Sequence, residues 1–102
     1  MDFKVGARWK SAVDDTQVIT VRAPSGDVEV TCGGHPLIPM EAEAEPGLAL
    51  QPGHDGGTLL GKRYADDRSG IELLCTKGGA GALFLNGEPL GLKEAKPLPS
   101  SD

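Results

Sequence analysis

The sequence has few of the residues from which a large core or a reactive site is built. Only 4% of its 102 residues are aromatic and 38% are hydrophobic, which is below the usual share for a globular domain. A chain of this length hides roughly 60–65% of its extended surface on folding. The composition therefore allows one modest core, and we expect a single domain over residues 1–95.

Long apolar runs and an excess of positive charge are also missing. No stretch approaches the roughly 18 apolar residues of a membrane span, and the first residues lack the apolar segment of an export signal. The formal net charge is −5 with a pI near 4.9, so the overall field repels phosphate backbones. We expect a soluble, cytoplasmic protein that binds neither membranes nor nucleic acid.

Cysteine is scarce, since Cys32 and Cys75 are the two in the chain. In a reducing compartment such thiols are more often small hydrophobic side chains than a disulfide. The turn around Cys32 also carries His35, and His54 and Cys75 would complete a set of two cysteines and two histidines for a metal. This spacing is not that of a usual zinc knuckle. The sequence predicts no cofactor, with zinc or iron at these four residues as the alternative.

Glycine and proline, by contrast, are abundant: Gly 15 and Pro 8 make almost a quarter of the chain. This composition favours short strands joined by tight turns. No segment carries an apolar stripe with the helical period. The predicted fold class is therefore all-β, a small barrel or sandwich.

Alternating β-branched residues mark the first strands. TQVITVRA predicts a strand that is buried on both faces, and VEVTC predicts its return across the turn PSGD. These two runs together predict a hairpin.

The second half of the chain begins after a long loop. Residues 40–57 are rich in acids, prolines and glycines and predict a loop, in which GLALQ could add a short edge strand. TLLGKRY and GIELLCT predict two more strands, and ALFLNGEPL predicts another with a reversal at Asn-Gly. Residues 96–102 predict an extended tail.

The two halves resemble each other, which predicts an internal pseudo-duplication of two related hairpins. Placing Gly26 opposite Gly81 aligns Val28 with Leu83 and Val30 with Leu85, and the turn CGGHPL then matches LNGEPL after a two-residue deletion. The predicted copies span about residues 12–40 and 64–92.

Residues 12–40 carry the strand QVITV, a glycine turn, an alternating return strand and the turn TCGGHPL. This order resembles the desulforedoxin-type fold, a small rubredoxin-like β-module whose paired cysteine-bearing turns surround one iron. The resemblance implies that residues 70–90 supply the second copy that completes the module.

The resemblance does not extend to the metal ligands. Of the four cysteine positions in that family, the first two fall near Ala12 and Asp15, the third falls on Thr31, and only Cys32 matches. A tetrahedral thiolate site needs four converging donors. The resemblance therefore implies that the metal centre has been lost and that the turn has been kept for its shape.

Two aromatic residues stand beside arginines, at Arg8–Trp9 and Arg63–Tyr64. In a chain with so few aromatics, Trp9 and Tyr64 are predicted to anchor either the core or an interface, and these two with Arg8 and Arg63 are the candidate interaction residues. No nucleophile and base can be placed together from the sequence, so the prediction is not an enzyme. We expect an accessory, protein-binding small subunit that docks on a larger protein or self-associates. The alternative function is a redox or structural metal protein that binds zinc or iron through Cys32, His35 and Cys75.

Overall fold

A computed structural model describes residues 3–93, and within them the chain forms ten short strands and no helix. The strands are β1 (Arg8–Lys10), β2 (Gln17–Arg22), β3 (Val30–Cys32), β4 (His35–Pro36), β5 (Ile38–Pro39), β6 (Arg63–Ala65), β7 (Glu72–Lys77), β8 (Leu83–Leu85), β9 (Glu88–Pro89) and β10 (Gly91–Leu92). The predicted all-β class is confirmed. The tail predicted at 96–102 lies outside the described residues.

The strands form two antiparallel sheets. The first has the strand order β10-β6-β7-β2-β1-β5 and the second has the order β4-β3-β8-β9. Val18 and Leu73 from the first sheet meet Val30 and Leu83 from the second in one core, where all four are almost fully buried. The architecture is a sandwich rather than a closed barrel.

The two halves of the chain repeat each other strand by strand. Strands β1 to β5 and strands β6 to β10 have the same lengths in the same order. Ile19 lies opposite Leu74, and the register of β2 with β7 is the same when it is counted from either strand. Thr31 lies opposite Phe84 in the same symmetric way. A pseudo-twofold axis therefore relates the copies, and the predicted internal repeat is confirmed.

The structure corrects the alignment of the two copies. Because β3 pairs with β8 around the same axis as β2 with β7, Val30 corresponds to Leu83 and not to Leu85. The two-residue difference lies in the connection between β2 and β3 (23–29), which is longer than that between β7 and β8 (78–82). Placing Gly26 opposite Gly81 puts this two-residue difference after β3, which is too late in the chain.

The hairpin predicted from β2 and β3 is wrong. Strand β2 pairs with β1 and β7, whereas β3 pairs with β4 and β8. The turn-like segment between them instead carries the chain from one sheet to the other, and the Ser25 N–H donates to the Ser69 carbonyl at 2.7 Å. Strand β2 is also buried on one face only, since Val18 and Thr20 are covered while Ile19 is partly exposed.

Two other strand predictions need correction. GLALQ forms no strand, and of TLLGKRY only the last two residues enter β6. The leucines of TLLGKRY lie in an exposed turn instead. These segments are apolar, which predicts a strand, but they have no neighbouring strand to pair with.

The same tight reversal is built twice, as predicted. Gly33 and Gly34 connect β3 to β4, and Asn86 and Gly87 connect β8 to β9. All four residues have positive φ angles, as a two-residue type I′ hairpin turn requires. Glycine and asparagine adopt this conformation at low cost.

The first reversal uses two glycines because the long loop packs on it. The Gln51 N–H donates to the Gly33 carbonyl at 2.9 Å. A Cβ atom on Gly33 would lie 2.6 Å from side-chain atoms of both Leu50 and Val13, whereas one on Gly87 would meet nothing within 4 Å. The loop thus leaves no room for a side chain at the first turn.

We expect Gly33→Asn to lower the free energy of unfolding by about 2 kcal/mol. Asparagine accepts this backbone conformation, as Asn86 does in the other copy, so the cost comes from overlap with Leu50 and Val13. Urea unfolding measures it. The matched exchange Asn86→Gly removes only the bond that the Asn86 side chain accepts from the Glu29 N–H, at a cost of about 1 kcal/mol. A neutral Gly33→Asn would contradict the docking of the loop.

Candidate protein-binding face

The outer face of the six-stranded sheet is centred on the pseudo-twofold axis. Arg8 lies opposite Ile19, Ile19 lies opposite Leu74, and Leu74 lies opposite Arg63. Directly opposed residues of neighbouring strands share a face, so these four side chains form one row across the sheet. Their neighbours along the strands point to the core. Two partly exposed aliphatic side chains therefore lie between two exposed arginines.

Further cations share this outer face. Lys10 and Lys77 are both in register with Gln17, on one side of the central row. Arg22 lies opposite Glu72 on the other side of the row. We call the surface made by the following residues the basic face: Arg8, Lys10, Arg22, Arg63, Lys77 and Lys93, with Ile19 and Leu74 at its centre.

The basic face contrasts with the rest of the molecule. Within the strands of this sheet, five residues are lysine or arginine, and Glu72 is the only acidic residue. The whole chain carries a net charge of −5. Positive charge is thus concentrated on one face of an acidic protein.

Glu72 holds two of these cations in place. Its carboxylate, which is 4% exposed, accepts a hydrogen bond from Lys93 Nζ at 2.6 Å and another from Arg63 at 3.3 Å. The Lys93 bond, together with the charges of Lys93, Arg63 and Arg22, lowers the pKa of Glu72. One carboxylate shared by three cations leaves this part of the face positive.

The structure separates the four predicted interaction anchors. Arg8 and Arg63 lie on the basic face, at corresponding positions of the two copies. Trp9 and Tyr64 point to the other side of the sheet. Tyr64 is buried and its hydroxyl accepts a hydrogen bond from the Leu59 N–H at 2.9 Å, and Trp9 packs against Phe3 with ring centroids 4.8 Å apart. The aromatics belong to the core, so the arginines alone line the outer surface.

The four residues of the alternative metal site each have a contact of their own. The Cys32 thiol faces Asp14, and the Cys75 thiol donates to the Lys77 carbonyl at 3.2 Å. Two further contacts involve the histidines: His35 Nε2 lies 2.9 Å from the Ala49 carbonyl, and the His54 ring stacks on Phe84 at 4.1 Å. Across residues 3–93, no group of three or more His, Cys, Asp or Glu side chains is placed to hold a metal ion. A zinc or iron site stays a prediction that metal analysis of purified protein would test.

Cys32 sits in a buried polar cluster that the sequence did not reveal. Its thiol lies 3.8 Å from Asp14 Oδ1. Asp14 Oδ2 accepts hydrogen bonds from the Thr16 hydroxyl at 2.7 Å and from the Gly81 N–H at 2.8 Å. Ser11 caps the same turn, because its hydroxyl oxygen accepts from the Asp14 N–H. The only local signal is Ser-x-x-Asp, a common turn pattern.

This cluster keeps the thiol unreactive. Burial, followed by the negative charge of Asp14, raises the pKa of Cys32 to about 11. A thiol with this pKa is protonated at neutral pH and is a poor nucleophile. Burial alone would raise the pKa of Asp14, but hydrogen bonds from Ser11, Gly81 and Thr16 outweigh it and lower that pKa. The arrangement stabilises a carboxylate and a neutral thiol side by side.

Comparisons with known proteins add no relative. No family model matches the sequence, and neither the curated proteins nor the solved structures contain a match. Between residues 3 and 93 there is also no helix that could span a membrane.

Proposed function

We propose that this protein is a non-catalytic binding module of the cytoplasm, and that its basic face docks on an acidic surface of a larger protein. One observation carries the proposal: the cations of an acidic chain are gathered on one sheet face around the aliphatic pair Ile19 and Leu74. A charged ring around an apolar centre is the usual arrangement of a protein interface.

The size of the basic face suits one side of such an interface. Six strands spaced about 4.8 Å apart make a surface roughly 25 Å across, and a standard interface takes about 800 Å² from each partner. Each exposed ion pair contributes only about 0.2–1 kcal/mol. Several together give useful affinity and accelerate the encounter with a partner of opposite charge.

The composition of the face favours protein over nucleic acid. Proteins that bind single strands stack the bases on aromatic side chains, but Trp9 and Tyr64 lie on the core side of this sheet. An acidic protein patch of matching size needs no such stacking.

We propose further that the desulforedoxin-type resemblance reflects a retained turn without its metal. Support comes from the reversal at Gly33 and Gly34, which the second copy repeats at Asn86 and Gly87. Thr31 and Cys32, which the resemblance aligns with two ligand positions of that family, both lie in β3. The turn here serves the hairpin and the packing of the long loop.

Poly-L-glutamate labelled with a fluorophore is the probe that tests the basic face. We expect it to bind, and we expect the double variant Arg8→Gln/Lys77→Gln to bind about tenfold more weakly, which corresponds to two lost contacts of about 0.7 kcal/mol each. Fluorescence anisotropy measures the affinity. Raising the ionic strength from about 50 to about 200 mM should also weaken binding.

The matched control removes two cations that lie outside the basic face. Lys4→Gln/Arg68→Gln changes the net charge by the same amount, and we expect less than about a twofold effect on binding. Equal losses in the two double variants would contradict a localised site. A labelled DNA duplex that binds as tightly as poly-L-glutamate would contradict the class of partner.

A further inference from the structure

Most of the edge strands contain a proline. Within residues 3–93 the edge strands are β4, β5, β9 and β10. Three of them contain a proline, namely Pro36, Pro39 and Pro89, and β10 contains none. Proline on an edge strand removes a backbone donor and prevents another strand from pairing there.

Pro39 stands at a position where a backbone N–H would point away from the sheet. The Lys93 N–H donates to the Arg63 carbonyl at 2.8 Å, so Lys93 turns its backbone groups toward β6. Backbone groups alternate along an antiparallel strand, so the N–H and C=O of Leu92 point away from the sheet. The corresponding residue of β5 is Pro39, which lies opposite Trp9 as Leu92 lies opposite Tyr64. The first copy thus lacks the outward N–H that the second copy presents.

Exposed leucines lie on β10 and in the turn before β6. Leu92 is 47% exposed, and Leu59 and Leu60 in the turn before β6 are 57% and 68% exposed. The Leu59 N–H bonds to the hydroxyl of Tyr64, the residue opposite Leu92. The first copy has Lys4 where the second has Leu59, since the turns are closed by equivalent bonds. Leu59, which bonds to Tyr64, and Leu92, which lies opposite Tyr64, are thus apolar where the first copy has Lys4 and Pro39.

Charge complementarity indicates what would pair with this edge. Arg63 and Lys93 border β10 on the basic face, while Leu92 shares the opposite face with Tyr64. A strand added to β10 would place one side chain opposite Leu92 and the two flanking side chains on the basic side. A second copy paired antiparallel through its own β10, with Leu92 opposite Leu92, would place Gly91 opposite Lys93 and would offer no acidic side chain there.

We propose that β10 takes up an extended acidic segment of a partner protein as an added antiparallel strand. The segment carries an apolar residue opposite Leu92 and acidic residues on either side of it. This inference rests on the proposed function and names the kind of partner segment. Backbone bonds to Leu92 supply the pairing, and the cations of the basic face select the acidic side chains.

A capped peptide of alternating valine and glutamate is the test probe, and alternating valine and lysine is its control. We expect the glutamate peptide to bind the ¹⁵N-labelled protein and to shift and protect the Leu92 amide signal in NMR spectra. The lysine peptide should bind at least tenfold more weakly. Absence of any effect on the Leu92 amide would overturn the proposal.

Leu92→Pro is the decisive variant because the other copy already has proline at this position. We expect it to keep the fold, as its NMR spectrum would show, and to weaken peptide binding at least tenfold. Leu92→Ala keeps the backbone N–H, so its affinity for the peptide should lie between those of the wild type and Leu92→Pro. Undiminished binding by Leu92→Pro would overturn this inference, and so would a dimer that Leu92→Pro abolishes, because that dimer assigns the edge to a second copy.

The two proposals fail in different ways. If Leu92→Pro leaves strand binding intact while Arg8→Gln/Lys77→Gln still weakens poly-L-glutamate binding, the inference about β10 is wrong and the basic face stands. If poly-L-glutamate does not bind wild-type protein but the valine–glutamate peptide does, the broad docking face is wrong.

Discussion

Gly79→Ala is expected to lower the free energy of unfolding by about 3 kcal/mol, the upper end of the cost of overpacking. An added Cβ would overlap with Asp14 Oδ2 and the Thr16 hydroxyl and would lie 2.9 Å from the Thr16 N. The backbone cannot retreat easily, because Gly79 exchanges two hydrogen bonds with Thr58. The substitution would therefore disturb the hydrogen bonds to the partly buried Asp14 carboxylate.

Thermal or urea unfolding of the variant measures this cost. A loss of about 3 kcal/mol in a domain of this size lowers the melting temperature by roughly 15 °C. Gly56→Ala is the matched control, because the atom nearest to its added Cβ is the Ala82 Cβ, at 3.9 Å. If both variants melt like wild type, the close packing of Gly79 against Asp14 and Thr16 is wrong.

The repeated turn could be predicted because its chemistry is local. Asn86-Gly87 and Gly33-Gly34 are residues that accept positive φ at both central positions of a type I′ turn. The strands β2 and β7 could be predicted for a similar reason, since β-branched and aliphatic residues alternate or run together there. Neither feature depends on what the segment pairs with.

Strand partners could not be predicted because they depend on distant parts of the chain. The segment after β2 contains a proline, a serine and a glycine and resembles a hairpin turn, yet Ser25 bonds to Ser69 in the other copy. Two equivalent copies offer each strand an alternative partner of nearly the same pattern. Pairing between copies, β2 with β7 and β3 with β8, makes the central strands of both sheets.

The basic face was only partly visible in the sequence. Arg8 and Arg63 stood out because each precedes an aromatic residue, but the aromatics lie on the opposite side of the sheet. Arg22 and Lys77 join the face only through the bulges in the β2–β7 register. A bulge changes which side a residue faces, and its position cannot be read from alternation alone.

The two copies differ at the glycine turn and at the outer edge of the six-stranded sheet. The first copy carries the covered glycine turn and the proline-blocked edge β5, and the second carries the open turn and the unblocked edge β10. Both copies have an aliphatic residue at the centre of the sheet, Ile19 in the first and Leu74 in the second. If, of the edge strands in residues 3–93, β10 alone lacks proline, the six-stranded sheet can extend in one direction only, which favours a single added strand over an open polymer.

Because the Cys32 thiol is neutral in the folded protein, the free energy of unfolding is expected to fall as the pH becomes alkaline. Its pKa is raised from 9.0 in the unfolded chain to about 11 in the folded protein, chiefly by burial. A raised pKa means that its contribution to stability is fully present below pH 9 and is lost as the pH rises toward 11. The slope is about 1.4 kcal/mol per pH unit, so the total loss is roughly 3 kcal/mol. Cys75, whose pKa burial also raises, adds to the loss in the same direction.

Urea unfolding at a series of pH values between about 8 and 11 measures this slope. We expect Cys32→Ala to have a lower stability at pH 8 but a shallower loss above pH 9, while Cys75→Ala keeps the Cys32 part of the slope. In the native protein at pH 8, the raised pKa alone should slow alkylation of Cys32 by about 100-fold relative to an exposed thiol. A slope that is unchanged in Cys32→Ala, or rapid alkylation of the native protein at Cys32, would show that the thiol is not held neutral beside Asp14.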